Sequence, residues 1–112
     1  MVNNYIEALA LGDLDLGLNA LAKAAESNID MKVFLELVLV KVRAIILMKI
    51  SATRKKQFTE IFSEEDMKFL IDLSENKDSK INSEVLLKLL KAHDLLGQSS
   101  VPQLPLELVL VG

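Results

Sequence analysis

The chain has 112 residues, enough for one ordinary domain with a single core and too few for two. Leucine alone supplies 22 of them, and apolar residues reach 51% against 26% charged, which excludes a disordered tail; four Gly and five aromatic residues disfavour an all-β sandwich. Without Cys there is no disulfide framework, thiol catalysis or cysteine-based zinc site, and a net charge of −3 with the two signs mixed lacks the basic stripe that phosphate-backbone binding requires.

The first segment, Val2 to Leu11, carries Ile6, Leu9 and Ala10 at helical spacing and stops at Gly12, a natural residue for the left-handed position after a helix. Asp13 is placed to cap a second helix whose apolar face is Leu14, Leu18, Leu21, Ala22 and Ala25, so the two form a tight hairpin. Ser27, Asn28 and Ile29 break the pattern, and Asp30 caps a third helix from Met31 to about Ile50. Fifteen of its 20 positions are apolar, with Lys32, Glu36 and Arg43 on one narrow stripe, so other helices or a partner must wrap it. A buried strand is the competing reading, and length decides against it. The charges Lys32, Glu36, Lys41, Arg43 and Lys49 also exclude a membrane span, which needs about 20 predominantly apolar residues.

Ser51 to Phe62 is a connection with a short turn that docks Phe58, Ile61 and Phe62, its Arg54, Lys55 and Lys56 solvated. Ser63 opens the fourth helix. Glu64, Glu65 and Asp66 sit at the positive end of its dipole, Asp66 as the return arm of a capping box, with Phe69, Leu70 and Leu73 on the inner edge. After a polar turn from Ser74 to Ser79, a fifth helix runs from Ile81 to Leu96 and closes at Gly97. Ile81, Val85, Leu89, Ala92 and Leu96 form its inner face and Glu84, Lys88, Lys91 and Asp94 its outer one, where Leu87 falls among polar residues flanked by Leu86 and Leu90. Gln98 to Gln103 is a linker, and Leu104 to Val111 is a closing helix with Pro105 in its first turn. The expected fold is all-α, a compact bundle of five to six helices in one domain.

Catalytic chemistry is sparse. No GxxxxGK[ST] loop occurs, and Gly12, Gly17, Gly97 and Gly112 are too scattered for a dinucleotide turn. His93, the sole imidazole, reads as a boundary residue satisfied by backbone or water, because Asp94 points about 100° away and no second ligand accompanies it. Helix-dipole complementarity accounts for Glu64, Glu65 and Asp66, and Met31, Met48 and Met67 read as core fillers. Neither a metal nor a cofactor is expected. Arg43, deep in the most apolar helix, has two readings: a snorkelling surface residue, or an ion pair with Glu107, the one charge of the closing helix.

Pro102 to Val111, reading PQLPLELVLV, resembles the end of the third domain of the bacterial DNA polymerase III gamma/tau subunit. Ile6 to Asp15, IEALALGDLD, resembles the opening hairpin of that domain, Asp30 to Leu47 its central helix, and Leu86 to Leu96 the long helix before its proline-containing linker. The similarity follows the family's order over nearly the whole chain. It implies a collar domain of the clamp loader, whose third domains hold a ring of subunits together during DNA replication in the cytoplasm. An ATPase module would precede it in the parent, so residues 1–112 would be a non-enzymatic fragment whose partners are other clamp-loader subunits. It would contact no nucleic acid, membrane or small-molecule substrate directly. A ring needs two different apolar patches on each subunit, and Leu87, Leu90, Leu104, Leu108 and Val111 are the interface candidates. The competing reading is an independent helical adaptor or regulator that binds a partner helix or peptide in a groove; a small helical enzyme or ligand carrier would need a polar-lined cavity.

Overall fold

Four helix starts in the computed structural model, which describes residues 1–111, carry a side-chain cap. Helix α1 (Val2–Leu11) ends where Gly12 turns left-handed, at φ 71°, and donates its N–H to the Ala8 carbonyl. Asp13 accepts from the Leu16 amide and opens α2 (Leu14–Glu26). Asn28, at φ 58°, reverses the chain, and Asp30 accepts from the Lys32 amide at the start of α3 (Met31–Ile50). A 3₁₀ turn (Ala52–Arg54) leads into the single helical turn α4 (Lys55–Phe58). Ser63 caps α5 (Glu64–Glu75) through the Asp66 amide, Asn82 caps α6 (Ser83–Leu96) through the Val85 amide, and α7 (Leu104–Val111) closes the described chain.

The all-α class is as expected, with α4 raising the helix number among the described residues to seven. Four local expectations change. On α2 the buried face is Gly17, Ala20, Leu21 and Ala24, so of the expected face only Leu21 is fully inside, while Leu14 and Ala22 are exposed. The α6 helix begins at Ser83 because the Asn82 side chain takes the cap, leaving Ile81 buried ahead of it in extended chain. Gly97 sits in the right-handed region at φ −71°, so α6 runs out into a turn without a left-handed cap. Between α3 and α5, Phe58 is buried beside the half-buried Phe62, whereas Ile61 stays 63% exposed. No helix among the described residues is long and apolar enough to cross a membrane.

The packing follows from the apolar circumference of α3. Its inner side, with Phe34, Leu35, Val38, Val42 and Ile45, is fully buried; α6 and α5 cover it most extensively, and α1 adds Tyr5, whose ring meets Phe34 edge-on at 5.7 Å. The α1 and α2 helices pack on each other as a hairpin, and α7 packs on α6 and α2. Met31, Met48 and Met67 are all buried, as core fillers should be.

Polar groups fasten the same three helices. Asp66 was expected to fold back onto Ser63, but its carboxylate instead accepts from Asn3 Nδ2 at 3.1 Å and lies 3.3 Å from Lys41 Nζ. Lys41 Nζ donates to Asn3 Oδ1 at 2.8 Å, closing a ring that ties α1, α3 and α5. The Asn3 hydrogen bond, reinforced by Lys41, holds the Asp66 carboxyl below its ordinary 3.8. A depressed carboxylate stabilises the fold fully above its unfolded pKa and stops doing so as pH falls through the folded one. Asp66→Asn should therefore lose stability at neutral pH and lose less on acidification than the parent, a difference readable from urea unfolding along a descending pH series.

Candidate interaction surface

The last helix decides what the molecule presents to its surroundings. With eight residues, α7 is far too short to persist alone and depends on its seat. Pro105, Leu106 and Val109 are buried beneath it. Tyr5, itself fully buried, donates its hydroxyl to the Leu106 carbonyl at 2.7 Å. Burial pushes the Tyr5 phenol well above its ordinary range, so it remains a neutral donor. On α2, a side chain at Gly17 would collide with the end of the Leu110 side chain, so the glycine leaves the space into which Leu110 of α7 packs.

Seated in this way, α7 turns Leu104 and Leu108 outward about half exposed, with Val111 70% exposed. On α6, Leu87 is 64% exposed and Leu90 about half. All five candidates from the sequence thus lie at the surface, and two grooves flank α6, one lined by Leu90 and the other by Leu108, while Leu87, Leu104 and Val111 stand outside both. On one side, Leu39, Val40 and Leu90 floor a groove of about 450 Å³ between α3 and α6, rimmed by Glu36, His93 and Asp94. On the other, Ala92, Leu95, Pro105, Leu108 and Val109 floor one of about 290 Å³ between α6 and α7, rimmed by Lys88 and Lys91. The two floors are alike and the rims opposite in charge. A larger concavity of about 590 Å³ lies where the α2–α3 turn meets the α6–α7 link, but its one carboxylate, Asp30, is occupied in capping α3.

The ion pair between Arg43 and Glu107 does not form. Arg43 is exposed on the outer side of α3, while α7 packs on α6 and α2, so Glu107 never reaches the side of the bundle where Arg43 lies. Lysine–carboxylate ion pairs form at Lys41–Asp66 and Lys55–Glu75. His93 is accordingly a boundary residue, but its Nε2 faces the Glu36 carboxylate at 3.5 Å where backbone or water was expected. No three His, Asp or Glu side chains among the described residues converge as a metal site.

One exposed set escaped the reading of the sequence. Val33, Leu37 and Val40, each about half exposed, stand outward on α3. Their alternating spacing of four and three residues was visible in the chain, but fifteen apolar positions do not say which side the neighbouring helices will cover. Comparisons with protein-family models, with curated proteins and with solved structures returned no match. Because the seat of α7 rests on one buried hydroxyl as well as on packing, Tyr5→Phe should destabilise the fold by about 1 kcal/mol in urea or thermal unfolding.

Proposed function

We propose that this chain is a scaffolding domain that joins subunits side by side, the collar domain of a clamp-loader subunit of the bacterial DNA polymerase III gamma/tau type. The observation that carries the reading is the pair of unlike grooves flanking α6. A ring is closed by heterologous contacts, in which one face of each subunit meets a different face of the next. The acid-rimmed α3/α6 groove and the lysine-rimmed α6/α7 groove suit that requirement, since like faces repel and unlike faces attract. Leu87 and Leu90 would serve the first contact, and Leu104, Leu108 and Val111 the second. The resemblance in chain order, from the Gly12–Asp13 hairpin to the Pro-containing closing segment, points the same way.

In this reading the domain carries no chemistry of its own. ATP hydrolysis belongs to a module elsewhere in the parent chain, and the partners are the other subunits of a cytoplasmic replication complex. A second reading, an adaptor that receives an amphipathic helix, is favoured by the α6/α7 groove alone, whose apolar floor and lysine rim fit a helix with leucine anchors and acidic flanks.

The test is assembly with purified clamp-loader subunits on a sizing column. Leu87→Asp and Leu108→Asp should each prevent co-elution while leaving the helical signal and melting of the isolated chain unchanged, since both side chains are exposed. Co-elution by both variants would remove these faces from the interface. Loss through Leu108→Asp alone would favour the adaptor reading, which uses one groove.

A further inference from the structure

The α3 helix carries two apolar seams, and the fold covers one of them fully and only the C-terminal part of the other. The inner seam is the core. The outer one is Val33, Leu37, Val40, Ala44 and Leu47, spaced four, three, four and three residues apart, which is the repeat of a coiled-coil contact face. Ala44 is buried within the protomer and Leu47 half-buried, so the open part is Val33, Leu37 and Val40. Two charges border this seam one heptad apart on the same flank, Glu36 and Arg43. Both are exposed, and no ion pair among the described residues uses Arg43. Glu36 faces His93 of its own protomer at 3.5 Å with half of its side chain still in solvent.

The signs of these two residues say what fits the seam. When two such helices pack antiparallel, the residues on this flank of one meet those on the same flank of the other in reverse order. Glu36 then lies opposite Arg43 of a second copy and Arg43 opposite its Glu36, two attractive pairs related by one two-fold axis. Between them Leu37 packs on Val40 of the other copy and Val40 on its Leu37. A parallel arrangement would instead bring the flank to the opposite border of the seam, where Lys41 is already engaged by Asn3 and Asp66. The face is thus self-complementary in one orientation.

We propose that the occupant of this outer α3 seam is a second copy of the chain, packed antiparallel through α3 in an isologous dimer. This contact lies outside the Leu104, Leu108 and Val111 face and does not depend on the collar reading. Its open part is short beside the roughly 800 Å² that each partner contributes to a stable interface, so the dimer is a weak, concentration-dependent one.

Sedimentation of the full chain from low micromolar to millimolar concentration should show a monomer–dimer equilibrium. Leu37→Asp should leave a monomer with unchanged helical content. Glu36→Arg alone, or Arg43→Glu alone, sets like charges against each other at both contacts and should weaken the dimer by about tenfold or more. An equimolar mixture of those two single variants restores both attractive pairs across the axis and should dimerise again, as should the double variant Glu36→Arg/Arg43→Glu. Leu108→Asp should have no effect here, which separates this contact from the α6/α7 face. A chain that remains monomeric throughout overturns the proposal. So does self-association that Leu108→Asp abolishes and Leu37→Asp does not, or a mixture of the two single variants that stays monomeric.

Discussion

The covering of α3 is the constraint on which the rest of the molecule depends. A 20-residue helix with 15 apolar positions has almost no side it can give to water, and a domain of this length has few helices with which to cover it. The α6 and α5 helices take most of the inner circumference, and α1 adds Tyr5 against Phe34. The polar ring of Asn3, Lys41 and Asp66 then fixes the places of α1 and α5 relative to α3. It matters because apolar packing is tolerant of small slides, whereas a closed ring of directional contacts among three helices is not.

The α7 helix solves a different problem at the other side of α6. Its eight residues are apolar on every side except at Glu107, so it cannot bury itself completely against a surface. The notch at Gly17 and the Tyr5 hydroxyl hold its inner side close, and the same closeness forces Leu104, Leu108 and Val111 outward. Exposed leucine on this helix is therefore a consequence of its composition once the seat is occupied. The exposure on α6 has a separate origin, since Leu87 and Leu90 stand on a helix that has a well-defined polar outer face and interrupt it.

Helix boundaries were legible in the sequence wherever a cap residue announced them. Gly12, Asp13, Asp30 and Ser63 each act through atoms within a few residues of themselves, so their roles survive without knowledge of the fold. Asn82 was hidden by Ile81, an apolar residue that continues the period of α6 backwards although the chain there is extended. The four residues of α4 are too few to establish any period. Pairing across the fold was not legible at all: Asp66 went to Asn3 and Lys41 instead of Ser63, and Arg43 went to solvent instead of Glu107, because both outcomes are set by which helices become neighbours. For the candidate surface, the four leucines and one valine on α6 and α7 were found because they sit among polar residues or in a segment whose one charge is Glu107. The outer α3 seam was missed because it sits in a helix where apolar residues are unremarkable.

Val40 connects the two assemblies that these faces suggest. It lines the α3/α6 groove with Leu90 and stands in the outer α3 seam with Leu37, so a partner seated on the α3/α6 side and a second copy seated on that seam compete for the same ground. An isologous contact satisfies its apolar area twice with a single patch and stops at two copies, whereas a heterologous one leaves a free face at each end and continues until it closes. Because both contacts draw on Val40 and Glu36, the weak dimer would occupy part of the acid-rimmed groove whenever no neighbouring subunit does. Self-pairing would then keep Val40 covered in the free chain and yield to a heterologous partner whose larger contact, reaching Leu90 and Leu87 as well, outweighs it.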